Sequence, residues 1–151
     1  MAIRGSLKLP GDKSISHRAL LFASFTRGKN LIHNISTGED VESTRNCLSS
    51  CGIKSIKKNN LVEIIGSPLI NPTQQLDCGN SGTTTRLIAG LLAGQKIKAT
   101  LVGDLSLSSR PMNRIIDPLN LMGARIKSQK FLLPLKISSN TLNGINYDIP
   151  I

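Results

Sequence analysis

Two short stretches of this chain carry residues suited to holding an anion. The first is Gly11-Asp12-Lys13-Ser14-Ile15-Ser16-His17-Arg18, followed by the apolar run ALLFAS. A strand entering a glycine turn and leaving as a helix puts Lys13 and Ser14 at the helix mouth. The first N–H groups of a helix lack intrahelical partners and sit at the positive end of its dipole, so an anion is favoured there. Ser14 and Arg18 are four residues apart and share a helical face. Arg18 can fork onto two oxygens of a phosphate or carboxylate, and Lys13 adds a point charge. The pattern is not a nucleotide P-loop, because the earlier glycine such a loop needs is missing and Asp12 interrupts it. The plain alternative is a capped helix with solvated basic residues.

The second stretch is Gly79-Asn80-Ser81-Gly82-Thr83-Thr84-Thr85-Arg86. Glycines at 79 and 82 let a ligand approach the backbone closely, and the threonines can cap a helix. A third stretch, Gly103 to Met112, sets Arg110 just before Pro111, a residue suited to a first helical position. Spacing alone favours a surface arginine there. His17 and His33 have no evident partner. Cys47 and Cys51 are four apart, but no further pair completes a zinc set, so buried thiols are expected and no metal. Asp77 and Asp104 flank the loops in structural roles, and Asp40 charges the start of a helix. Lys54, Lys57 and Lys58 read as a solvated hairpin face.

The elements that position these residues come in two copies, offset by 68 residues at their start. SLKLPGDKSISHR aligns with QQLDCGNSGTTTR, setting Gly11 on Gly79, Ser14 on Gly82 and Arg18 on Arg86. Each copy predicts a strand, a buried helix, a strand (LIHNIS, ATLVGD), a second helix and a strand pair. The second helices are EDVESTRNCLSSCG and SSRPMNRIIDPLNLMG, where Pro118 forces a kink or a late start. The first strand pair turns at Lys58-Asn59-Asn60. The expected class is α/β (α+β-like) with repeated βαβαββ units, over 1–70 and 71–138, with a third beginning at 139–151 and strand-like sequence already at Ile3.

Composition narrows the partners. The 151 residues carry 19 Lys+Arg against 9 Asp+Glu, a net charge of +10, which points to anionic ligands. Aromatics are 3%, too few to offer stacking platforms for single-stranded nucleic acid. Hydrophobic residues at 39% exclude a disordered chain, and no apolar run reaches the length of a membrane span. Three cysteines make no disulfide framework and no leader is read at the start, so a reduced, cytoplasmic protein is expected.

Together, LPGDKSISHRALLFAS, DCGNSGTTTRLIAGLLAG and GDLSLSSRPMNRIIDPLNLMGA resemble 5-enolpyruvylshikimate 3-phosphate synthases from about Leu9 to Ile151, in the family's order. The resemblance implies the N-terminal portion of a two-lobed enzyme, each lobe built from three βαβαββ units. It implies transfer of the enolpyruvyl group of phosphoenolpyruvate to the 5-hydroxyl of shikimate 3-phosphate, with release of phosphate and no metal or organic cofactor. By this resemblance Lys13 touches both substrates, and Ser14 and Arg18 bind shikimate 3-phosphate. Gly82, with Asn80 near it, and Arg110 border phosphoenolpyruvate, where glyphosate binds as an inhibitor. The family's acid/base groups fall beyond residue 151, so no catalytic residue is expected here and little turnover from this chain alone. The full-length enzyme is expected to be a monomer. A UDP-N-acetylglucosamine enolpyruvyl transferase and a non-catalytic basic binding module are the competing readings.

Overall fold

A computed structural model describes residues 4–138 and 140–149. The first half runs α1 (Lys13–Phe25), β1 (Gly28–Ile32), α2 (Glu39–Ser50), β2 (Lys54–Lys58) and β3 (Leu61–Gly66). Its three strands form an antiparallel sheet in the order β1-β3-β2. The second half runs β4 (Leu76–Asp77), α3 (Gly82–Gly94), β5 (Ala99–Val102), α4 (Leu105–Ser108), α5 (Asn113–Leu121), β6 (Ile126–Gln129) and β7 (Leu132–Ile137). Its sheet has the order β4-β5-β7-β6. The arrangement β5-β7-β6 repeats β1-β3-β2, again antiparallel, and β4 adds a parallel strand at the β5 edge.

Side-chain periodicity explains which face each element buries. Val62 and Ile64 alternate with Glu63 and Ile65 along β3, and the first pair is 1% and 0% exposed. Leu133, Leu135 and Ile137 do the same on β7. Helix α3 buries Ile88, Ala89, Leu92 and Ala93, and α1 buries Leu20 and Leu21. These side chains join α2's Val41, Cys47 and Leu48 in one core shared by both halves. Each fully buried leucine contributes roughly 1.5–3 kcal/mol. Gly52 and Gly123 end α2 and α5 at φ of +93° and +106°, a left-handed turn that costs glycine little.

The structure corrects three sequence expectations. No strand precedes α1 among the described residues 4–12, and Leu7 and Leu9 there are exposed. A strand needs a hydrogen-bonding neighbour, and among the described residues β1 is paired only with β3; Ile3 lies outside them. Pro111 is not a first helical residue. A separate short helix, α4, comes before it, and α5 starts late, after Met112, whose N–H is bound by the Phe131 carbonyl at 2.8 Å. Pro118 therefore sits within a nine-residue helix. Residues 140–149 hold no helix or strand, and Ser139, Pro150 and Ile151, the rest of the stretch expected to begin a third unit, lie outside the described residues. The helix caps align Asp12 with Ser81, one residue away from the alignment of Ser14 with Gly82 read from the sequence.

Candidate functional site

At the mouth of α1, the Asp12 carboxylate accepts the Ile15 N–H at 2.7 Å and caps the helix. Gly11 lies so close to the strand-to-helix connection that an added Cβ would sit 1.8 Å from the Asn34 carbonyl oxygen. The Ser16 hydroxyl donates to the Asp12 carbonyl and accepts the Ser36 N–H at 2.9 Å. The glycine and this hydroxyl therefore fix the mouth against the 33–38 segment, while Lys13, Ser14 and Arg18 remain exposed. Arg18 has no carboxylate within ion-pair distance among the described residues.

At the mouth of α3, Ser81 caps by accepting the Thr84 N–H at 3.1 Å. Gly79 takes φ +56°, and its N–H is held by the Asp77 carboxylate at 2.8 Å. The Asp104 N–H reaches the Gly79 carbonyl at 2.9 Å, drawing the third stretch alongside the second. Asp104 accepts from the Leu107 N–H and from the Asn80 amide; these bonds hold its carboxyl below the usual range. Arg110 donates to the Asn80 carbonyl and side chain and to the Ser106 hydroxyl. Asn80 therefore braces Arg110. A Cβ on Gly82 would stand 2.6 Å from Arg86 Nη1 and 3.7 Å from Arg110 Nη1. Two guanidinium groups therefore flank the glycine at this helix start.

The two mouths are tied through α2. Lys13 Nζ pairs with the Asp40 carboxylate at 2.8 Å, and the Asp40 carbonyl accepts the Thr84 hydroxyl at 3.0 Å. Asp40 thus occupies the first turn of α2, as expected from sequence, and also joins α1 to α3. The structure brings Gly82, Asn80 and Arg110 together and links Lys13 to them through Asp40. Ser14 and Arg18 extend the same face along α1. Sequence reasoning left out Arg86; its alignment with Arg18 in the repeat was the available signal.

Other side chains sort differently. The three thiols are buried and free, and burial pushes Cys51 up to about 11. Lys57 is not simply solvated: with Arg45 it grips Glu42, whose carboxyl is held low chiefly by the Arg45 hydrogen bond, against the upward push of burial and with the help of Lys57. His33 is exposed, whereas His17 is fully buried and does have a partner, Thr44. No group of metal-ligating side chains occurs among the described residues, and no helix among them is long and apolar enough to cross a membrane.

The fold defines a mixed α/β protein whose two halves present equivalent helix mouths with cations beside them. The chain belongs to the EPSP synthase family: the family model for EPSP synthase (3-phosphoshikimate 1-carboxyvinyltransferase) matches residues 1–151. It is similar to the 3-phosphoshikimate 1-carboxyvinyltransferases of Oceanobacillus iheyensis (48% identical) and Streptococcus gordonii (50% identical). Each match covers 99% of this chain and 36% of the relative, so the chain spans about a third of their length. The EPSP synthase structure from Acinetobacter baumannii superposes with a TM-score of 0.91 at 40% identity, over 97% of this chain and 35% of that one.

Proposed function

We propose that this chain supplies part of the substrate site for enolpyruvyl transfer from phosphoenolpyruvate to the 5-hydroxyl of shikimate 3-phosphate, with release of phosphate, in the shikimate route to aromatic amino acids. The observation that carries this is the tie from Lys13 through Asp40 to Thr84, which joins the two helix mouths through one residue of α2. Both substrates are anions, in keeping with the net charge of +10. In this reading Ser14 and Arg18 hold the phosphate of shikimate 3-phosphate. Lys13 exchanges Asp40 for the substrates and stands between them. Gly82, Arg110 and the adjacent Arg86 receive phosphoenolpyruvate, and Asn80 keeps Arg110 aimed. Fixed cations of this kind lower the barrier by stabilising charge that builds in the transition state. Glyphosate competes at the Gly82 side. Residues 1–70 and 71–138 act as successive structural units, and the assembled enzyme works as a cytoplasmic monomer.

Calorimetric titration with shikimate 3-phosphate and with shikimate tests this reading. The phosphorylated ligand binds, and Arg18→Ala weakens it by about 10-fold or more, the scale of a lost charge-assisted hydrogen bond. Equal binding of both ligands, or binding indifferent to Arg18, contradicts it. Steeply salt-dependent binding to duplex DNA with no preference for shikimate 3-phosphate would favour the basic-module alternative.

A further inference from the structure

Beneath the two helix mouths runs a buried polar chain that links α1, α2 and α3. His17 Nδ1 lies 2.7 Å from Thr44 Oγ1, and Thr44 Oγ1 lies 2.7 Å from Thr84 Oγ1. Thr84 Oγ1 reaches the Asp40 carbonyl at 3.0 Å and Ser81 Oγ at 2.8 Å. His17, Thr44 and Thr84 are each 0% exposed, and Ser81 is 1% exposed. His17 belongs to the helix of Lys13, Thr44 to that of Asp40, and Thr84 to that of Gly82.

The direction of the protons follows from the one member that can only accept. A carbonyl has no proton to give, so the Thr84 hydroxyl donates to Asp40 and its oxygen accepts the Ser81 hydroxyl proton. That oxygen also accepts from Thr44, and the Thr44 oxygen accepts from His17. That requires a proton on Nδ1 and none on Nε2. Nε2 has no hydrogen-bond partner among the described residues, and a second proton there would be a buried charge without a partner. Burial accordingly lowers the His17 pKa.

We propose that neutral, Nδ1-protonated His17 is a positioning residue: through Thr44 and Thr84 it sets the spacing between the Lys13 and Gly82 helix starts. Its importance for substrate rests on the function proposed above; the spacing itself does not.

Three variants of this chain test it by nuclear magnetic resonance. His17→Leu fills the space without a donor. His17→Asn keeps a donor near the Nδ1 position. Thr44→Val cuts the chain in its middle. Imidazole nitrogen shifts in the parent protein should report Nδ1–H. In His17→Leu and Thr44→Val, the amide signals of Ser14 and Gly82 should move together while those of Ile64 and Leu135 stay. His17→Asn should return them towards the parent positions. Affinity for shikimate 3-phosphate should fall about 10-fold in His17→Leu and recover to within about 2-fold in His17→Asn, within the range of coupling in such networks. An Nε2–H tautomer, or a Gly82 amide unmoved in His17→Leu, overturns the proposal. If the parent protein fails to bind shikimate 3-phosphate, the functional reading falls while the amide signals still decide the network.

Discussion

Gly82→Ala isolates the geometry of the α3 mouth. The backbone of Gly82 is ordinary helix, so alanine is tolerated there and the fold should hold, with an unchanged or slightly higher Tm. The new methyl meets Arg86 Nη1 at 2.6 Å, the far end of a flexible side chain. Regaining normal contact moves that guanidinium back by about 1 Å. At an effective dielectric of about 20, two unit charges attract by about 4 kcal/mol at ~4 Å and about 3.3 kcal/mol at ~5 Å. The loss is about 0.8 kcal/mol, or roughly fourfold in affinity for an anion beside Gly82. A ligand that also fills the notch over the glycine suffers a direct clash. In a complete family enzyme carrying this segment, KM for phosphoenolpyruvate should therefore rise about fourfold. The inhibition constant of glyphosate should rise by at least ~10-fold more than that. Steady-state phosphate release, with glyphosate as inhibitor, measures both. Equal changes in the two constants would refute the notch, and no change in either would refute the role given to Arg86.

Four further outcomes follow from the same structure. Gly11→Ala should abolish cooperative thermal unfolding, because its Cβ would stand 1.8 Å from the Asn34 carbonyl oxygen, whereas Gly90→Ala, which meets nothing, should leave Tm unchanged or raised. Ser81→Ala should cost about 1 kcal/mol of unfolding free energy in urea, the usual worth of a helix cap, and should also disturb the Thr84 hydroxyl bonded to it. Glu42 is held below its ordinary value of 4.5 by Arg45, so its stabilising share is complete above that pH and is lost as pH falls through the lower folded-state value. His17 is held below 6.5 by burial, so stability should decline from about that pH downwards, and His17→Asn should remove this decline while leaving the acid limb of Glu42. Urea unfolding across pH 3 to 8, an interval of about five units, reads both limbs.

What the sequence reveals depends on how local the cause is. The Gly11 turn, the helix beginning at Lys13 and the repeat were legible because glycine spacing and apolar periodicity are local. The glycines at 79 and 82 marked the start of a second helix for the same reason, and α3 does begin at Gly82. The strand expected before Gly11 failed because a strand is a property of two segments, and residues 4–12 have no strand to pair with among the described residues. Pro111 misled because Asp104 caps a short helix ahead of it, so the favoured proline position went unused. Lys13 meeting Asp40, 27 residues on, left no trace in spacing. Nor did the chain from His17 to Thr84, whose members lie on three different helices. Arg86 was visible only as the counterpart of Arg18, and its approach to Gly82 needed coordinates.

The most direct test of the account replaces the corresponding segment of a complete EPSP synthase with residues 1–151 of this chain and measures phosphate release from phosphoenolpyruvate and shikimate 3-phosphate. The account predicts turnover in the graft and its loss, by about 100-fold or more, on Lys13→Met, the scale expected when a cation facing transition-state charge is removed. A folded graft with no turnover, or one whose rate ignores Lys13→Met, would contradict the placement of the substrate site at these helix mouths.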